Sequence, residues 1–497
     1  MAVLLAAIVW PTLALGIRCV DELGSADAGP FGPERLTAEG LAFSSRQLGL
    51  LWRSTWLAGA AALIGVAASI PAAAVLAGVR GRRAFVLHVC LAGVILCPPM
   101  VYVFGWQRLL PVGFDPHLQC ILVWAAWAWP ISAFILSAGW SGSRPVLEAA
   151  CLSAGPSATI FHILLPKLLP HFAAAAMLLF VLFLGDYGVP HACGLIVYAT
   201  EMLGWAANST AALDTVVPSL PPVAVIFAVL LGVVSLLRAC SVDRRSEGQA
   251  CTTASKPWAA LAIAIILASW IVPLGVLIVE LGSARTISEA LRVYGPDIVG
   301  SLLVALCAAI LVIALAGALP SLGRRSLLLL ALWMIALGVL PGALTGKALI
   351  VAYNRPATGW VYDDWPIVVL GHVVRFAWIA ALAGLVIARG FKRDVALQAA
   401  ADGADRASVL WHVLLPDHRR LLLAAGCATA VLSLAEVPAT SLVRVPTFTP
   451  VALAIIEKFH RLENEMLISL SLVLVAASFP AAIALARMWP APRSIPA

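Results

Sequence analysis

Charge is what this chain of 497 residues has least of: Asp, Glu, Lys and Arg together make up 11%, against roughly a quarter in soluble domains. With 62% hydrophobic residues and a mean hydropathy of +0.99, a water-soluble globular fold is excluded, because too few polar side chains remain to cover its surface. Spacings that signal redox or metal chemistry are missing too. The ten cysteines include no Cys-x-x-Cys pair, and Cys90, Cys97, Cys307 and Cys427 fall in apolar runs, where a buried small hydrophobe is expected and a disulfide or metal ligand is not. Neither HExxH nor GxSxG occurs, and no carboxylate pair has catalytic spacing, so the chain is expected not to be an enzyme. The nearest approach to a nucleotide-binding loop, Gly342 to Lys347 followed by Ala348, lacks the glycine spacing and the hydroxyl that phosphate and magnesium require. A net charge of +7 with a pI near 9.0 does not point to nucleic acid, because the basic residues are spread between apolar runs and not clustered with aromatics.

What the chain has in abundance is apolar runs. A helix needs about 17–25 such residues to cross a bilayer, and twelve candidates are found, at approximately 1–17, 55–79, 84–104, 119–139, 168–185, 220–239, 258–279, 298–319, 327–346, 367–388, 421–438 and 466–487. Six precede the polar stretch 241–257 and six follow it. The expected fold is therefore an all-α polytopic membrane protein of about 12 transmembrane helices, with a first half at 1–240, a linker at 241–257 and a second half at 258–497. The apolar N-terminus lacks a basic n-region and has a counterpart at 258–279, so it is expected to be retained as the first helix. Segments 18–48 and 280–297 are expected outside the membrane, and the third run of each half ends at a proline edge, Pro98-Pro99 or Pro341-Gly342.

The two halves share one stretch. Leu147–Pro166, LEAACLSAGPSATIFHILLP, and Leu397–Pro416, LQAAADGADRASVLWHVLLP, align without gaps at an offset of 250, with eight of twenty positions identical. Such an internal repeat marks duplicated halves. Each copy reads as two short helices joined at a helix-breaking pair, Gly155-Pro156 or Asp402-Gly403, the second helix carrying apolar residues at i, i+3, i+4 and ending at Leu-Pro. Placing both copies in the cytoplasm puts 19 of the 32 Lys and Arg on that side, as the positive-inside rule requires.

The pattern Glu-Ala-Ala, a bend, then Leu-Pro resembles the EAA loop of the membrane subunits of binding-protein-dependent ABC importers. The family's bend glycine falls where Ser153 and Gly403 stand, and Gln398 takes the place of Glu148. The resemblance implies a fused permease of the type I importer kind in a bacterial cytoplasmic membrane. It also implies docking on two ATP-binding cassette subunits, which would hold the ATP and magnesium, and an extracytoplasmic substrate-binding protein that carries most of the specificity. The residues it assigns to coupling are Glu148, Ala149, Ala150, Ala154, Gly155 and Pro166 in the first copy. In the second they are Gln398, Ala399, Ala400, Asp402, Gly403, Ala404 and Pro416. The run Glu436–His460 resembles ferric-iron and thiamine permeases, and the element VVRF at 373–376 resembles ferric-iron permeases. Iron(III) is thus the expected substrate, with thiamine, polyamine or phosphonate as alternatives, and a twelve-helix secondary transporter as the alternative of another class.

Ionisable residues inside apolar runs draw attention because each is costly there. His372 and Arg375 lie mid-run, and Arg375 reads either as a pathway residue or as a tie to a neighbouring helix. Asp186 and Glu436, also 250 apart, end the fifth runs and mark either the water boundary or the mouth of a pathway. Glu457, His460 and Glu463 at i, i+3, i+6 read as a solvated outer face before they read as a metal relay.

Overall fold

A computed structural model describes residues 5–24, 44–79, 81–141, 155–239, 256–390, 398–399 and 401–488. Among them there are helices and connecting turns but no strand. A lipid-facing backbone has no water to bond, and a helix satisfies its N–H and C=O groups within one segment.

One succession of elements occurs twice. First come α1 (Trp10–Gly24, continuing a π turn at Leu5–Val9), α2 (Ser45–Leu76), α3 (Gly81–Leu96), α4 (Pro99–Leu109), α5 (Pro116–Ser141), α6 (Leu165–Leu184), α7 (Gly188–Ala192), α8 (Tyr198–Asn208) and α9 (Leu213–Ala239). Then come α10 (Lys256–Glu280), α11 (Ala284–Ala318), α12 (Arg324–Val339), α13 (Gly342–Tyr353), α14 (Pro366–Gly390), α15 (Arg419–Leu434), α16 (Pro438–Leu442), α17 (Val451–His460) and α18 (Asn464–Met488).

Of the described helices, eight are long and apolar enough to cross a membrane, or ten if two bent pairs each count as one span. Two of the twelve expected runs fall short. The end of α1 carries Arg18, Asp21 and Glu22, and α15 has only 16 residues. The expected proline edges are sharp breaks inside the third apolar runs, where α3 and α4 meet at 90° and α12 and α13 at 110°. Proline supplies no N–H to the turn before it and disfavours helical geometry at the residue preceding it. Residues 284–297, part of the segment expected outside the membrane, are helical and form the start of α11, which Ser283 caps by accepting a 3.2 Å hydrogen bond from the Arg285 N–H.

By packing, the chain forms two compact units. One contains Met1–Ser45, Glu201–Leu220 and Leu281–Trp489; the other contains Arg46–Thr200, Pro221–Glu280 and Pro490–Ala497. These differ from the sequence halves in two respects: each takes its opening helix from across the linker, and the first also takes residues 201–220. In the first unit, α11, α14 and α15 form the core through Val312, Ala316, Val373 and Ala377, and α1 packs along α13. Tyr353 donates to the Ala6 carbonyl at 2.7 Å, and the Trp10 indole to the Ala352 carbonyl at 3.4 Å. In the second unit α10 packs on α4, where Gly105 leaves no room for a side chain: a Cβ there would lie 2.7 Å from the Pro273 Cβ and carbonyl oxygen. Trp129 donates to Ser269 at 3.1 Å, and Arg108 pairs with Glu280 at 3.2 Å.

Candidate functional site

Of the duplicated loop, Glu148, Ala149, Ala150, Ala154 and Ala400 lie outside the described residues. In the second copy Gln398 and Ala399 are helical, and the chain turns at Asp402-Gly403, with Gly403 at φ +83°. The Ala404 N–H reaches the Ala399 carbonyl at 2.9 Å and the Asp402 N–H the Gln398 carbonyl at 3.0 Å. That first bond and the left-handed glycine are a Schellman-type stop, which favours a residue without Cβ. The following helix is capped by Asp405, which accepts from the Ser408 N–H at 2.9 Å. In the first copy Gly155 is left-handed as well, at φ +81°, and precedes Pro156 directly. The left-handed glycine thus stands one residue before the helix in one copy and three before it in the other.

The second copy has the expected short helix, Arg406–Asp417, which stops one residue past Pro416, whereas the first copy departs from it. Pro166 opens α6, and the helix continues through it to form the span His162–Leu184. Just before each proline, one turn is π-helical, Ile160–Leu164 and Leu410–Leu414, again 250 apart. Proline leaves the carbonyl four residues back without its donor, and a wider turn accommodates the gap. Pro166 and Pro416 are exposed, and so are Leu165, Leu169 and Trp411, the last at 66%.

The ionisable residues of the spans are tied into the helix breaks. Arg375, on α14, donates through Nη1 to the carbonyls of Gly338, at 2.9 Å, and Leu340. These are the acceptors freed where α12 stops. Its Nε lies 3.6 Å from Glu436 Oε2, and Glu436 Oε1 accepts from the Ala439 N–H at 2.9 Å, capping α16. Asp186 does the same for α7, accepting from the N–H groups of Gly188 and Val189 at 3.2 and 3.1 Å, and it takes the Trp124 indole N–H at 2.8 Å. Both acids are therefore turn caps, whatever else they do. His372 is buried, with Nδ1 on the Ser433 hydroxyl and Nε2 2.9 Å from that of Thr440.

Glu457, His460 and Glu463 form no cluster. Glu457 pairs with Arg444 at 2.8 Å and Glu463 with Lys458, whose ammonium pKa that bond holds above its ordinary value. Among the described residues no group of three His, Cys, Asp or Glu could hold a metal.

Two features escaped sequence reasoning. Gly342 and Gly346, in GALTG, face α16 closely: a Cβ on Gly342 would lie 2.8 Å from the Pro438 Cβ, and one on Gly346 2.7 Å from Leu442 Cδ1. The small-xxx-small spacing was a readable signal for this contact. Lys347, next in the chain, is buried and donates to the Ser209 carbonyl, with the carboxylates of Glu22 and Asp214 as compensating charges. Glu22 takes the Ala212 and Leu213 N–H groups at 3.0 Å each and Arg18 Nε at 2.9 Å, so it caps α9. Nothing local in the sequence joins residues so far apart.

The fold and these ties define the class: among the described residues, an all-helical, membrane-embedded protein with several helices able to span and two helix pairs bent at proline. No protein family, curated protein or solved structure matches the chain.

Proposed function

We propose that the chain is the fused permease subunit of a binding-protein-dependent ABC importer in a bacterial cytoplasmic membrane, its two homologous six-helix halves forming the translocation pathway. The observation that carries the reading is the duplicated EAA-like segment. Two copies of one sequence pattern share an exposed proline and a π turn at the same offset of 250, and each bends at a left-handed glycine, Gly155 or Gly403. Exposed apolar side chains such as Trp411 beside a stiff turn suit insertion into a pocket on a soluble partner. Two ATP-binding cassette subunits would seat on the two segments and hold the ATP and magnesium, while an extracytoplasmic binding protein delivers solute. Iron(III) is the substrate favoured by the resemblance of Glu436–His460; thiamine, polyamine and phosphonate import would use the same mechanism.

The test replaces Gly403 with Glu and Ala404 with Arg. Transport of radiolabelled ferric iron and co-purification of the ATP-binding subunits should both be lost while the chain still inserts. Uptake that continues without ATP and follows a proton or sodium gradient would establish a secondary transporter and end this proposal.

A further inference from the structure

The helix breaks at Pro98 and Pro341 pose one problem and receive two solutions. Where α3 stops, the carbonyls of Ile95 and Cys97 lose their helical donors, and the Trp127 indole N–H bonds both, at 3.1 Å each. The carbonyls in the corresponding places before Pro341 belong to Gly338 and Leu340, and there the donor is Arg375 Nη1. The acids at the following turns are served in parallel, Asp186 by the Trp124 indole at 2.8 Å and Glu436 by Arg375 Nε at 3.6 Å. Helices α5 and α14 begin 250 residues apart, at Pro116 and Pro366. Arg375 therefore corresponds to Ala125, between Trp124 and Trp127.

The chemistry accounts for the exchange. An indole has a single N–H, so a tie to the break and a tie to the acid take two tryptophans, and i, i+3 spacing puts both on one helix face. A guanidinium carries several donors and a positive charge, so one side chain donates to the break and stands against the acid as an ion pair. We infer that Arg375 is a positioning residue: it holds the α12–α13 break and the α15–α16 turn against α14, doing alone what Trp124 and Trp127 do together at the α3–α4 break. One break is thus held by neutral hydrogen bonds and the other by a partly buried charge whose removal also strips Glu436 of its counter-ion. The second bent pair is accordingly the one that a change of charge unlocks.

The experiment measures break geometry directly, so it is independent of what is transported. Spin-label pairs are placed at exposed sites, Leu329 with Trp360 across the α12–α13 break and Val86 with Val112 across the α3–α4 break. Double electron–electron resonance then reads both distances in the full-length chain. Arg375→Gln should lose the single narrow Leu329–Trp360 distance and leave the Val86–Val112 distance unchanged, and Trp127→Phe should do the reverse. Arg375→Lys, with one compact donor head, should give a broadened distribution where the Gln variant fails to accumulate. Adding Ala125→Arg to Trp127→Phe should restore the Val86–Val112 distance. An unchanged Leu329–Trp360 distance in Arg375→Gln, with a raised KM for solute uptake, would make Arg375 a solute ligand and overturn the inference. Failure of Ala125→Arg to restore the distance in a protein that melts like its Trp127→Phe parent would equally overturn it.

Discussion

At the scale of the residue, the informative groups are those whose charge is buried and accounted for. Glu22 is an example, because its carboxylate closes two N–H groups at the start of α9, holds Arg18 and stands among the charges that compensate Lys347. Hydrogen bonds to a charged acceptor contribute about 1.5–3 kcal/mol each when buried. Glu22→Gln keeps the shape and removes the charge, and a loss of about 2 kcal/mol is expected. A clear fall in Tm in detergent checks this, and Lys347→Met in the same background should lower stability by less than it does in the parent, because the two sites share a network. Equal losses in both backgrounds would show that the two residues are uncoupled. His372 illustrates the opposite case. Its ring lies in an apolar run and carries no ion pair among the described residues, and both ring nitrogens are occupied by the hydroxyls of Ser433 and Thr440.

At the scale of the element, close approach of backbones decides which glycines matter. Gly346 on α13 faces Leu442 and the Ala439 carbonyl of α16, at 2.7 and 3.2 Å from where a Cβ would stand, whereas Gly295 on α11 has nothing within 4 Å. Overpacking of this kind costs about 1–3 kcal/mol. Gly346→Ala should therefore lower Tm, and Gly295→Ala should leave it unchanged or raise it, since alanine is the better helix former. Equal behaviour of the two variants would refute the assigned α13–α16 contact. Element boundaries were the least legible part of the chain. The runs 84–104 and 327–346 have the composition of ordinary spans, and their prolines could be read as edges; that the helices turn through 90° and 110° there depends on donors brought from α5 and α14.

At the scale of the whole molecule, the exchange of opening helices is the organising fact. Helix α1 is packed with α13 in one unit, and α10 with α4 in the other, so each compact unit contains chain from both sides of residues 241–257. Cutting that linker at an inserted protease site should leave the fragments 1–240 and 258–497 co-purifying in mild detergent, with a melting transition close to that of the intact chain. Separation of the fragments on the column would contradict the exchange. Breaking the Tyr353–Ala6 and Trp129–Ser269 bonds together, by Tyr353→Phe and Trp129→Phe, should weaken the association of the cut fragments.

Composition and periodicity determined that the chain is helical and membrane-embedded, because continuous apolar runs of about 20 residues suit spanning helices and lack the alternation of barrel strands. The sequence also determined that a segment recurs at an offset of 250, since duplication leaves identity that needs no contact to be seen. Only tertiary structure decided that Arg375 serves carbonyls at Gly338 and Leu340, that Glu22 caps a helix starting at Leu213, and that the opening helices trade places. Those arrangements are set by which unsatisfied donors and acceptors meet across helices distant in the chain, and a pairing of that kind leaves no periodic trace in either partner.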